Sequence, residues 1–209
     1  MKYLILKMDF DRIVSRTVVV PGDWSLAFLH MVIQKTFGWL DYHQYDFSKS
    51  EKDCERRWTI NSEELSDLDD YMEASQTSII DVLGKKGDKL SYTYDFGDCN
   101  EVEIVVVGVA KKPNIKDFAT TGPDVVEDSA GMGGIEGIVT IAKAGKAGKG
   151  KQYKMLKDWL HGAFGKSPEQ VLSYPSVGDI YGRVFHLVKT VSTANPKALS
   201  DCWTDYFVD

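Results

Sequence analysis

The sequence predicts an α+β fold: a mainly antiparallel N-terminal sheet in ββαββ order, then a hairpin, with a C-terminal helical part packed on the sheet. Three observations carry this prediction. Residues 2–8, 15–20 and 90–109 are rich in β-branched and aromatic residues. Leu26, Leu29, Ile33 and Phe37 recur at helical spacing. Beyond residue 130 the apolar positions fall only at helical spacing, and strands followed by helices mark α+β instead of alternating βαβ units. A chain of 209 residues with 43% apolar and 27% charged residues is globular in composition and long enough to bury a core.

In chain order, residues 2–8 and 15–20 read as a strand pair joined by the polar stretch Asp9 to Arg12. Pro21 and Gly22 stop the second strand; Asp23 or Ser25 caps a helix over 25–37, and Gly38 is placed to end it. Residues 43–48 and 56–60 are two further strands, an order that also admits a β-grasp-like arrangement. The acidic stretch over about 61–76 reads as a surface insertion, and 78–83 as a short helical turn before a Gly/Lys reversal.

Leu90, Tyr92, Tyr94 and Phe96 then alternate with polar neighbours, and Asp95-Phe96-Gly97-Asp98 turns the chain into EVEIVVVGV, forming a hairpin. In that turn Phe96 is expected to face the core and Gly97 to take a positive φ, with Asp95 and Asp98 accepting hydrogen bonds from turn amides. Ile135, Ile138, Val139 and Ala142 mark a helix, 143–151 a flexible Gly/Ala/Lys linker, and Tyr153, Leu156, Leu160 and Phe164 the next helix. Ser167-Pro168-Glu169 opens another helix, and Ile180, Val184 and Leu187 outline the last. The expected organisation is one domain over 1–188 with a tail over 189–209.

The formal net charge of −6 argues against attraction of the whole molecule to a polyphosphate. No run of 18 apolar residues occurs, and the apolar start is cut by Lys7 and Asp9, so neither a membrane span nor an export signal is expected and the default compartment is the cytoplasm. Cys54, Cys99 and Cys202 lack any CxxC spacing and read as free thiols.

Local motifs name no chemistry. Gly145 to Lys151 fits GxxxxGK, but Gln152 stands where the magnesium-binding hydroxyl belongs. Asp95-Phe96-Gly97 spells a kinase tripeptide without the catalytic loop that accompanies it. His30, His43, His161 and His186 show no HExxH or HxxxH spacing, and GxSxG is absent. No metal and no cofactor is therefore expected.

Three segments in order carry a family resemblance: Leu29-His30-xx-Ile33-Gln34-xx-Phe37-Gly38-Trp39-xxx-His43-xxx-Phe47; Gly87-Asp88-Lys89-Leu90-xx-Thr93-Tyr94-Asp95-Phe96-Gly97-Asp98; and Glu127-Asp128-xx-Gly131-x-Gly133-Gly134-Ile135-Glu136-Gly137, followed by Asp158-Trp159-Leu160 and Ser167-Pro168-Glu169. Together these resemble the plasmid pRiA4b ORF-3-like family over residues 2–188. Members of that family are similar to passenger proteins of insertion elements, and the resemblance implies a fold but no established activity. The family commonly continues its DFGD turn with Trp and then His, and carries cysteines before a PPED-like segment. Asn100, Val102 and the cysteine-free stretch 120–128 stand in those places here. The matching positions define a candidate functional cluster of Trp39, His43, Asp95, Gly97, Asp98, Glu127 and Asp128.

Two functional classes follow. A non-enzymatic binding or interaction module, with a protein partner favoured over nucleic acid, accords with the absence of a complete catalytic motif. A metal-assisted or acid-base enzyme centred on His43 and the Asp95/Asp98 turn requires those side chains to converge within ligand reach. A nucleic-acid-associated role of mobile-element origin is the third and weakest class, resting on the lysines over 143–157.

Overall fold

Eight strands form one sheet in the order β5-β4-β3-β6-β7-β1-β2-β8 in a computed structural model describing residues 2–50, 55–60, 71–145 and 150–193. The strands are β1 (Tyr3–Phe10), β2 (Val14–Pro21), β3 (Tyr45–Ser50), β4 (Glu55–Thr59), β5 (Tyr71–Glu73), β6 (Lys89–Tyr94), β7 (Asn100–Ala110) and β8 (Ala119–Thr121). Every pairing is antiparallel except β4 with β5. The β-grasp-like arrangement, which needs a parallel central pair, is not adopted, because β1 runs antiparallel to both its neighbours.

Period-two alternation does its expected work in the centre of the sheet. Leu4, Leu6, Met8 and Phe10 of β1, Leu90, Tyr92 and Tyr94 of β6, and Val102, Ile104 and Val106 of β7 all point into one core. Helix α1 (Leu26–Phe37) lies in that core and is buried nearly all round. Ser25 caps it, its hydroxyl accepting from the Phe28 amide at 3.2 Å, and Gly38 ends it in the left-handed region. Full burial explains why a surface stripe would not have sufficed: α1 is covered by the sheet and by α6 (Val177–Thr193), whose Ile180, Val184, Leu187 and Val191 join the same core.

Helix α2 (Ile79–Val82) is the short turn expected before the hairpin. Helices α3 (Gly134–Ala144), α4 (Lys151–Phe164) and α5 (Pro168–Val171) build a satellite core from Ile138, Ala142, Leu156, Leu160 and Val171, joined by Val126 of the segment before α3. Ser167 forms the full capping box with Gln170. No helix among the described residues is long and apolar enough to cross a membrane.

Four features differ from the sequence reading. The 71–76 part of the expected insertion is built into the fold, as β5 and a 3-10 turn whose Ala74 is fully buried; residues 61–70 lie outside the described residues. Strand β8 carries only three residues, too few for periodicity to show, and closes the sheet edge on β2. Helix α6 continues to Thr193, past the expected end at 188, because Val191 keeps its apolar period. The expected linker is narrowed by α3 reaching Ala144 and α4 starting at Lys151, and residues 146–149 of it lie outside the described residues.

Candidate functional site

Residues 39–43, between α1 and β3, are held by a closed ring of hydrogen bonds, buried at Tyr92 and part-buried at Asp41. His30 Nε2 lies 2.8 Å from Asp41 Oδ1, and His30 Nδ1 lies 2.8 Å from the Tyr92 hydroxyl. Gln34 Nε2 donates to the same hydroxyl at 2.9 Å, while Gln34 Oε1 accepts from the Asp41 amide at 3.1 Å. A neutral imidazole with its proton on Nε2 satisfies every member: it donates to Asp41 and accepts from Tyr92. Burial lowers the His30 pKa, against the opposing pull of Asp41, and Asp41 itself sits at a φ of 61°.

Trp39 opens this segment deep in the core. It stacks on Phe37 at 5.2 Å and lies 5.1 Å from the Tyr94 ring. Tyr94, from the end of β6, is the hub. Its hydroxyl donates to Glu127 Oε1 at 2.6 Å and accepts from the amides of Tyr42 at 2.9 Å and His43 at 3.3 Å. Burial first, and then the bond to Glu127, raise its pKa well above the ordinary phenol range, so it stays a donor.

The turn after β6 is built differently from the sequence expectation. Asp95 and Cys99, at φ 57° and 52°, take the left-handed positions, and Gly97 does not. Asp95 Oδ1 accepts from the amides of Gly97 at 3.0 Å and Asp98 at 3.3 Å, an arrangement in which an aspartate tolerates positive φ by bonding its own turn. Phe96 points outward and is 45% exposed, since the turn reverses the chain after Tyr94 and ends the alternation there. Asp98 leaves the turn altogether: its Oδ2 accepts from the Ala130 amide at 3.1 Å, tying the hairpin to the 127–130 segment.

That third segment is anchored from behind. Arg16 is fully buried and donates to the carbonyls of Thr36, Ser15, Thr121, Gly122 and Pro123. Arg183 of α6 grips both oxygens of Asp124 at 2.9 and 2.8 Å, a two-pronged pair that raises its pKa. The Val125 amide then bonds the Phe37 carbonyl at 2.7 Å. Glu127, 3% exposed, follows; its Oε1 accepts from Tyr94 and from the Leu40 amide at 2.7 Å, whereas Oε2 is enclosed with no partner.

The three segments meet at His43. Its Nε2 stands 3.2 Å from Asp128 Oδ1 and 3.7 Å from Asp95 Oδ2, and one ligand atom from each of the three residues lies within 4.8 Å of the others. Despite the 3.2 Å approach, His43 Nε2 is enclosed and makes no hydrogen bond; nor does the enclosed Trp39 Nε1. All seven residues picked from the sequence thus lie on three adjoining segments, with His43, Asp95 and Asp128 in ligand reach and Asp98 committed to Ala130. Three residues that position the site went unread. Tyr94 looked like an ordinary core position in an alternating strand, and Arg16 and Asp41 had no local pattern to mark them.

An α+β sheet whose helix-end loop, hairpin turn and helix-entry segment converge on a histidine and carboxylates defines the class of this chain. The chain belongs to the plasmid pRiA4b ORF-3-like protein family, which it matches over residues 5–170. It is 34% identical over 97 residues to the uncharacterized protein y4hQ of Sinorhizobium fredii (strain NBRC 101917 / NGR234), a match covering 44% of this chain and 47% of that protein. The match thus spans about half the length of this curated relative. The fold is shared with a crystal structure of a protein of unknown function from Methanosarcina mazei Go1, at a TM-score of 0.59 and 23% identity over 81% of this chain and 97% of the other.

Proposed function

We propose that this is a cytoplasmic, metal-dependent binding protein in which His43, Asp95 and Asp128 hold a divalent cation. One observation carries the reading: three potential ligand atoms lie within 4.8 Å of one another, and the imidazole nitrogen among them is enclosed and makes no hydrogen bond, only approaching the two carboxylates. A buried polar atom left unpaired is costly, and an ion supplies the missing partner. Imidazole with carboxylate oxygens suits zinc or manganese. Three protein ligands leave coordination positions for water or a ligand, which is also the arrangement through which a metal activates water. The metal-assisted enzyme reading shares this requirement for convergence. It differs from the binding reading only in whether the open positions serve turnover.

The test is isothermal calorimetry of the metal-free chain with Zn2+ and Mn2+. One ion binds per chain, and His43→Ala or Asp128→Asn weakens binding by about 10-fold or more while leaving the melting temperature of the metal-free protein unchanged. Equal affinity in parent and variants rejects the site.

A further inference from the structure

We propose that the C-terminal segment of this chain folds back as an arm, with the Trp203 side chain seated in a cavity between the start of α1 and the end of α6. The cavity, of about 310 Å3, takes its lining from three places. The start of α1 supplies Trp24 and Phe28, their rings edge to face with centroids 4.2 Å apart; the segment before α2 supplies Thr77 and Ser78, and α6 supplies Val191. The first two are fixed to each other. The Leu26 amide donates to the Thr77 carbonyl at 2.9 Å, the Ile79 amide to the Trp24 carbonyl at 2.8 Å, and Ser25 and Ser78 form an isolated β-bridge. A cavity held open in this way needs little reordering to take an occupant. Two aromatic rings and a valine beside Ser25, Thr77 and Ser78 offer apolar contact and hydroxyl groups together. That combination suits an indole, which has an apolar body and one N–H to satisfy.

The occupant follows from the chain that leaves this spot. Val191 lines the cavity, α6 ends at Thr193, and residues 194–209 lie outside the described residues. Asn195-Pro196 turns the chain off the α6 axis, since proline lacks the amide and steers the residue before it away from helical backbone. Past that break, Leu199, Cys202, Trp203, Tyr206 and Phe207 recur at the spacing of a single helix face, and Asp201, Asp205 and Asp209 fall off it. A stripe carrying three aromatic rings is disfavoured in water and gains by covering apolar surface. Reach is not limiting: a helical path from Thr193 to Trp203 covers about 15 Å and an extended one about 33 Å, and the start point is already beside the cavity. Trp203 is the largest ring on the stripe, and a cavity of this size takes one large side chain, not the whole face of a helix.

Disulfide trapping in the full chain tests the arm through Cys202, the neighbour of Trp203, in a background carrying Cys54→Ser and Cys99→Ser. A second thiol is introduced at the exposed lining residue by Gln76→Cys or, for comparison, on the outer side of α6 by His186→Cys, next to the 55% exposed Phe185. A freely wandering tail samples both positions, whereas a docked one favours the first. In dilute protein under a mild oxidant, the closed monomer forms about 10-fold or more faster with Gln76→Cys than with His186→Cys. Trp203→Ala abolishes that excess, and Trp203→Phe retains part of it. Equal rates overturn the inference, and a faster rate with His186→Cys overturns it by placing the arm on the Phe185 side of α6. Disulfide-linked dimers forming at rates that rise with concentration overturn it as well, giving the cavity to the tail of a second copy. An excess that survives Trp203→Ala rejects Trp203 as the inserted side chain.

Discussion

Arg16 and Glu127 are both charged and both buried, and the protein treats them in opposite ways. Arg16 has no exposed surface, and its guanidinium is spent on five backbone carbonyls, the face of Phe37 and a 3.7 Å approach to Asp124. Glu127 uses one oxygen twice and the other not at all. A fully used buried charge is a fastening: it welds the end of α1 to the 121–124 segment and thereby fixes where Glu127 and Asp128 emerge. A half-used one marks where the molecule still has bonding capacity to offer.

The largest expected effect breaks the fastening. Arg16→Met, which keeps volume but strands five carbonyls, lowers stability by about 3–5 kcal/mol in urea unfolding. Arg16→Lys does not rescue it, because one ammonium cannot span that fan of acceptors. The same experiment on the other region is the control: Glu127→Gln keeps an acceptor for Tyr94 and Leu40 and shifts stability by less than about 1 kcal/mol. Comparable losses from Glu127→Gln and Arg16→Met would erase the distinction drawn between the two regions.

A third buried ionisable group sharpens it through pH. His30 is fully partnered as a neutral ring, and burial lowers its folded-state pKa. The unfolded chain takes up the proton near pH 6.5, and the folded chain holds it off to lower pH. The unfolded state therefore binds more protons as pH falls below about 6.5, and stability declines there. Thermal melts at pH 7.5 and 5.5 show a lower midpoint at the acid value, and His30→Gln flattens the difference. A drop equally steep in His30→Gln assigns the pH dependence to other groups.

Much of this fold was written in short-range pattern. The α1 cap, the β6–β7 hairpin and the Ser167 capping box follow from periodicity and from residues whose chemistry acts within four positions of themselves. What escaped was long-range. Strand β8 and Arg16 are meaningful only once β2 meets residues 119–123, about a hundred positions away. The site divides along the same line. His43, Asp95 and Asp128 were picked out by family motif, yet no local spacing marked them as a ligand set, because each comes from a different segment. Tyr94 was legible as core but not as the hydroxyl that gathers Glu127, Tyr42 and His43.

The smallest effect belongs to a pair of motif glycines that look equivalent in sequence and are not. Gly38 ends α1 at φ 87°, and a Cβ there would stand 2.8 Å from the Cβ of Asp124, the residue Arg183 holds in place. Both the backbone and the space exclude a side chain, so Gly38→Ala costs about 1–2 kcal/mol. Gly97 carries no such demand. The turn gives its left-handed positions to Asp95 and Cys99, and a Cβ on Gly97 meets only Asp95 Oδ1, at 3.2 Å. That oxygen already accepts from two turn amides and has to give by a few tenths of an ångström, so Gly97→Ala costs within about 0.5 kcal/mol. Differential scanning calorimetry of the two variants reads the difference as a clear drop in midpoint for Gly38→Ala beside a near-parental one for Gly97→Ala. A midpoint for Gly97→Ala as low as that of Gly38→Ala would mean that the Asp95 carboxylate cannot yield, and that the turn, like the Arg16 fastening, is fixed by its polar groups.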